Sequence, residues 1–259
     1  MTTDHLQAAR DGRPAGHARW VRVCHWLIAA SVFGLAYSGI AILMVQPRLY
    51  WGNAGNDLMP AWLELPISRN YHHGGWAPPL AFFAEPGGAV SRVRTYAIFN
   101  ENGWARSLHF LVAWLFAAAT ALYLGLALAT GHLRRALTPR AAELAPGRLW
   151  QDIRAHLRLP LPRAAGGPPY NVLQKLAYGL VALVALPVMI LSGLAMSPTV
   201  GAAWPWLPTI MGGSQSARSI HFLLLCALIL FLLVHLAMVV LTGAGAQLRA
   251  ITWGRRHGE

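Results

Sequence analysis

His221 and His235 stand fourteen residues apart in the apolar run IHFLLLCALILFLLVHLAMVVL. Fourteen residues is just under four turns of α-helix, so both imidazoles would leave roughly the same face, about 21 Å apart along the axis. One histidine would then lie near each surface of a bilayer. Ionisable side chains are expensive in a membrane unless they face a protein interior and have a partner, and imidazole is a common axial ligand of haem iron. Two haems stacked across a membrane need two further histidines, and His25 and His109 each open another apolar stretch. Iron held between two histidines has no open coordination site, which suits electron transfer rather than oxygen binding. A lone membrane histidine can equally be a hydrogen-bonding link between helices; four at two matched depths are harder to explain that way.

The elements that must position these side chains follow from composition. Apolar residues make up 56% of the 259-residue chain and charged residues 12%, with mean hydropathy +0.43, outside the usual range of soluble domains. Four uncharged stretches, about 26–45, 108–130, 176–196 and 220–241, reach the roughly 20 helical residues that cross hydrocarbon. The first has full spanning length and no A-x-A-like cleavage site, so it reads as a span rather than a signal peptide. Net charge of +12 would suggest nucleic acid for a soluble protein. Here its distribution assigns topology. Arg134, Arg135, Arg140, Arg148, Arg154, Arg158 and Arg163 crowd the segment between spans two and three, which the positive-inside rule makes cytoplasmic. Arg10, Arg13, Arg19 and Arg22 in the N-terminal arm and Arg249, Arg255 and Arg256 in the tail agree with it. The expected fold is an all-α membrane protein, a four-transmembrane-helix bundle with both termini cytoplasmic. Its parts are an arm at 1–24, a four-helix domain at 25–248 and a tail at 249–259. Within the domain lie a long external loop, 46–105, and the basic cytoplasmic loop, 131–169. The external loop balances its charges and is rich in Gly, Pro and Trp, as a folded cap on the membrane surface would be.

This topology decides which histidines can meet. His109 and His221 open spans two and four on the outer side, whereas His25 opens span one on the inner side, where His235 closes span four. The outer pair is therefore His109/His221 and the inner pair His25/His235. His132, at the inner end of span two, competes in principle with His25, although interfacial snorkelling beside Arg134 and Arg135 explains it better. His72 and His73 in the external loop read as solvated, and His5, His17, His156 and His257 carry no signal. Gly39, fourteen residues beyond His25 and next to Ser38, offers a small surface where an outer porphyrin could approach closely; plain helix packing is the other account. Arg106 and Arg218 each precede an outer histidine by three residues and could pair with haem propionates, as Arg19 and Arg22 could inside. Interfacial anchoring explains all four equally. Pro187 should kink span three, which holds no histidine.

Cys24 and Cys226 lie at opposite ends of the expected bundle and cannot form a disulfide. No C-x-x-C-H, cysteine cluster, Walker motif or G-x-G-x-x-G is present, which leaves no signal for covalent haem, an iron–sulfur centre or a bound nucleotide. No internal repeat is evident beyond the loose recurrence of a histidine near the head of a span.

His25-Trp26, Arg106-x-x-His109, Tyr170-Asn171-x-x-Gln174-Lys175 and Gly212-Gly213-x-x-x-Ala217-Arg218-x-x-His221 with His235 together resemble the di-haem cytochrome b subunits of respiratory complexes. These are the b561-type group with the nickel-iron hydrogenase and formate dehydrogenase subunits, and the nearest likeness is to the thiosulfate reductase cytochrome b branch. The resemblance runs from about Arg19 to Leu248. It implies two b-type haems in a multi-pass protein of the bacterial inner membrane, wiring the quinone pool to a periplasmic oxidoreductase, typically of molybdopterin type in the branch named. Asn171 and Gln174 are candidates to hold a quinone, with helix capping as their other reading. The alternative function is a stand-alone quinone-coupled enzyme such as a superoxide oxidase or ferric reductase. The near-neutral external loop shows no electrostatic funnel for a diffusible substrate, which favours the subunit reading.

Overall fold

The computed structural model describes residues 17–56, 59–65, 102–157 and 171–253. Among the described residues four helices are long and apolar enough to span a membrane: α1 (Arg19–Val45), α2 (Asn102–Ala129), α4 (Val172–Ala195) and α7 (Ser214–Thr252). Shorter helices α3 (Pro146–Leu157), α5 (Pro198–Ala203) and α6 (Trp206–Ile210) lie between them. Most side chains of the long helices face outward; Leu111 and Trp114 are each 70% exposed, a surface that only lipid would cover. The protein is thus an all-α membrane protein. One departure from a purely helical chain is a two-residue antiparallel ladder, β1 (Arg48–Leu49) with β2 (Leu63–Glu64).

The described residues fall into two compact units. The first contains the chain up to Trp26, Ala119–Leu186 and the chain from Ala227. Here Trp20 packs against Tyr123 and edge-on against His132. Within α4 a π-helical turn at Val181–Ala185 directly precedes Leu186 and Pro187. Proline cannot donate its nitrogen and its ring collides with the carbonyl four residues back, here Leu183; the wider turn relieves both, and is the form the expected kink takes. Near its end α7 breaks at Gly243, whose φ of +109° suits glycine. The last-turn carbonyls of α7 have no partner within the helix. Two of them are taken up by α1: Arg22 donates to Thr252 O and Trp26 Nε1 to Ile251 O, each at 3.2 Å.

The second unit holds Leu27–Ala118 and Pro187–Cys226. Gly34 lets α1 approach α2 closely, since a Cβ there would lie 3.3 Å from the Val112 side chain. The chain after α1 folds onto the start of α7. The Gly52 carbonyl accepts the Gln215 and Ser216 N–H groups, and Gly52 N–H donates to Ser216 Oγ at 2.7 Å, so first-turn donors that a helix leaves unpaired are satisfied. Gly212 and Gly213 both have positive φ, and any side chain at Gly213 would strike the Gly52 carbonyl. Ser219 Oγ donates to Tyr50 O and accepts Trp62 Nε1–H, while Trp51 stacks on Trp62. Ala195, Leu207 and Ala217 form the small core beneath this cap. The rest of the expected external loop, 66–101 with His72 and His73, lies outside the described residues, as do the arm to residue 16 and the tail from 254.

Candidate functional site

In the second unit His109 of α2 and His221 of α7 face one another with ring centres 6.3 Å apart. A metal–imidazole nitrogen bond is about 2.0–2.1 Å and the nitrogen lies about 1.1 Å from its ring centre, so two imidazoles on opposite sides of one metal would be about 6.3 Å apart, centre to centre. The observed spacing therefore fits an intervening iron. Each ring is gripped from the preceding long helix. His109 Nδ1 lies 2.9 Å from Ser38 Oγ, and His221 Nδ1 lies 3.0 Å from Ser192 Oγ. Both serine side chains are fully buried. Ser38 Oγ spends its hydrogen on the Gly34 carbonyl at 2.7 Å, and Ser192 Oγ on the Met189 carbonyl at 3.0 Å. With its one hydrogen given away, each hydroxyl can only accept, so each Nδ1 carries the proton and each Nε2 keeps a lone pair for a metal. The residue after each serine is glycine: a Cβ on Gly39 would sit 3.5 Å from His109 Cε1, and one on Gly193 3.4 Å from His221 Cε1. Gly39 thus lies against the imidazole itself, with space for no more than a Cβ at ordinary contact distance.

These matched contacts expose a repeat that the sequence reading missed. Ala105-Arg106-Ser107-Leu108-His109-Phe110-Leu111 and Ala217-Arg218-Ser219-Ile220-His221-Phe222-Leu223 differ at one position, and each follows a helix carrying Ser-Gly. Aligning the two hairpins on Ser-Gly and on A-R-S-x-H-F-L would have shown it. Helix α4 lacks a histidine but supplies the hydroxyl that orients one.

In the first unit His25 of α1 and His235 of α7 have ring centres 6.5 Å apart, again a spacing that admits a metal. Their support differs. Both Nδ1 atoms are buried without a hydrogen-bond partner. His235 is held instead by Phe231, stacked at 5.9 Å, and by Tyr178 edge-on at 6.1 Å; His25 meets Trp26 edge-on at 5.3 Å. In the repeat register, Gly179 stands where the first hairpin has His25, and Tyr123 where the second has His235.

The remaining sequence candidates scatter. Arg106 is exposed one turn before His109, and Arg218 donates to the Gln46 carbonyl. Gln174 Oε1 accepts the Asn171 N–H at 3.1 Å, a cap at the start of α4. His132 lies against Trp20, and burial lowers its pKa, with His17 and Arg135 adding to the effect. Cys24 is buried, Cys226 exposed, and both are free thiols. Sequence reasoning gave no role to Lys175, which is buried and reaches both oxygens of Glu143 at 2.9 Å. The Arg140 N–H, and after it Lys175, holds the Glu143 carboxyl below its usual range. Asp152 of α3 accepts the Leu173 N–H, a second cap on α4.

Four membrane-length helices with histidines facing in pairs define a membrane protein of the haem-binding kind. The chain belongs to the prokaryotic cytochrome b561 family, whose family model matches residues 16–254. It is accordingly a b-type haem protein of transmembrane electron transfer. A relative from Azospira oryzae, named "Putative protein-methionine-sulfoxide reductase subunit YedZ1", is 29% identical over 225 residues, 87% of this chain and 90% of the relative. No solved structure matches the chain.

Proposed function

We propose that this protein carries two b-type haems, one between His109 and His221 near the outer surface and one between His25 and His235 near the inner surface of a bacterial inner membrane. The observation that carries the reading is the presence of two imidazole pairs with ring centres 6.3 and 6.5 Å apart. When bound, each haem supplies a one-electron couple. His109 with His221 and His25 with His235 would hold the two groups, and Ser38 and Ser192 would orient the first pair of imidazoles. Arg106 and Arg218, one turn outward of their histidines, are placed to meet propionates; a guanidinium has five donors, and Arg218 has given one to Gln46. Gly39 serves by lying against His109. The arginine-rich 131–169 segment supports a topology with both termini in the cytoplasm.

Electrons would pass between quinone at the inner side and an oxidoreductase docked outside. The relative's name, that of a reductase subunit, supports a partner enzyme, and a molybdopterin protein is the class we assign. The packing of the chain after α1 onto α7, directly above His221, supports a docking role for the external face over a stand-alone enzyme. Asn171 and Gln174 remain the quinone candidates by position, although Gln174 is already engaged in capping. A pyridine haemochrome count on the purified protein, with a reduced-minus-oxidised spectrum, tests the central claim. Two b-type haems per chain, re-oxidised by added quinone, are expected; one haem or none overturns it.

A further inference from the structure

We infer that Ser38 and Ser192 are matched positioning residues that lower the reduction potential of the haem between His109 and His221, each acting through the histidine it faces. The inference rests on the proposed ligand assignment at that site. It starts from the hydroxyl geometry. Each serine donates to a backbone carbonyl of its own helix and accepts Nδ1–H, at 2.9 Å for His109 and 3.0 Å for His221. A ligating histidine whose far N–H is hydrogen-bonded is a more basic ligand, which favours the oxidised, more positive iron. Both serines are fully buried, where a hydrogen bond is stronger than in water.

Three observations make the pair a matched device rather than two chance contacts. The serines occupy equivalent positions in the two repeats, each followed by a glycine that lies against the imidazole. The carbonyls three residues before them, Leu35 and Met189, are further acceptors for the same two rings, so removing a serine reads that serine's own share of the tuning. The His25/His235 pair, by contrast, has neither hydroxyl nor other acceptor at Nδ1. The two ligands at the His109/His221 site should therefore be tuned equally, and the His25/His235 site not at all by these residues.

Redox titration of the haem-loaded, full-length protein followed by visible spectroscopy tests this. Ser38→Ala and Ser192→Ala should each raise the potential of one haem only. Only the part of the hydrogen bond that is stronger with oxidised iron shifts the reduction equilibrium, and a shift of a few-fold, up to about fivefold, is expected. At 59 mV per tenfold for one electron, that is up to about 40 mV. The two shifts should be alike, the double variant should show roughly their sum, and Ser38→Thr, which keeps the hydroxyl, should restore most of the wild-type value. Should Ser38→Ala load poorly, Ser38→Cys, with its weaker acceptor, is titrated instead and should show a shift of the same sign. Unchanged potentials in both single variants, or equal shifts in both haems, would overturn the inference. His221→Ala run in parallel separates the two claims: if the haem that responds to serine survives that change, the ligand assignment has failed, whatever the serines do.

Discussion

The two histidine pairs have nearly the same ring separation and opposite kinds of support. The His109/His221 pair is held by hydrogen bonds from a repeated Ser-Gly step, so each imidazole has one tautomer and one orientation. The His25/His235 pair is held by aromatic packing against Phe231, Tyr178 and Trp26, with both Nδ1 atoms unsatisfied. A buried polar atom without a partner costs about 1–3 kcal/mol, and the second pair carries two of them where the first carries none at Nδ1. The repeat shows how the difference is built. At the first site the two hairpins contribute the same residues in the same roles. At the second they contribute one histidine each, but from the first helix of one hairpin and the second helix of the other, with Gly179 and Tyr123 at the vacated positions. A hydroxyl placed by repetition at one site has no counterpart at the other.

The largest expected effect comes from removing a ligand at either site. His221→Ala should halve the haem content and leave the haem at His25/His235, and His235→Ala should do the converse. Haem counts and separate reduction steps read both. If either change removed both haems while the protein stayed folded, the two sites would not be the independent structures their separate supports imply.

A smaller effect, confined to one site, is expected from filling the space beside an imidazole. The Cβ of Gly39→Ala would meet His109 Cε1 at 3.5 Å, an ordinary contact, and should be tolerated. Gly39→Val adds two methyl groups beyond a Cβ already in contact with His109 and should displace the ring, with loss of most of the haem at that site and little change at the other. Gly193→Val should do the same through His221, which already lies slightly closer. A valine variant of either glycine that retained its haem with an unchanged spectrum would show that the imidazoles are not confined as described.

Four spans, their histidines and the pairing were legible in the sequence because each depends on something local: uninterrupted apolar length, and the depth of a residue within it. What supports the histidines was not legible for a physical reason. Ser38 and Ser192 are ordinary small residues of membrane helices, and their meaning lies in which imidazole the tertiary structure brings within 3 Å. Ser192 was further hidden because span three has no histidine and so attracted no attention. The Gly212-Gly213 step was visible as a motif, but its reason, the Gly52 carbonyl pressed against Gly213, needs two segments about 160 residues apart. Asn171 and Gln174 had two readings, a ligand site or a helix cap, and the structure adds to the second: Gln174 Oε1 accepts the Asn171 N–H at the start of α4.

The smallest expected effect belongs to the unit of the His25/His235 pair and depends on pH. Glu143 binds Lys175, which is buried at the start of α4, the helix that carries Tyr178 to the His235 ring. Because the Arg140 N–H and then Lys175 favour the charged carboxylate, its pKa in the folded chain lies below the ordinary 4.5. A lowered carboxylate pKa contributes stability that is fully present above the unfolded value and is lost as pH falls through the folded one. Thermal unfolding of the detergent-solubilised protein should therefore show Glu143→Gln melting below wild type at pH 7, with the gap narrowing as pH drops below about 4.5, where the wild-type carboxylate begins to protonate. Redox titration at pH 7 gives the site comparison. Glu143→Gln should leave the haem at His109/His221 unmoved, since its ligands are fixed by serines in the other unit, and any disturbance should fall on the haem whose histidine Tyr178 supports. A shift in the serine-supported haem would mean that the two sites share a support that neither set of contacts contains.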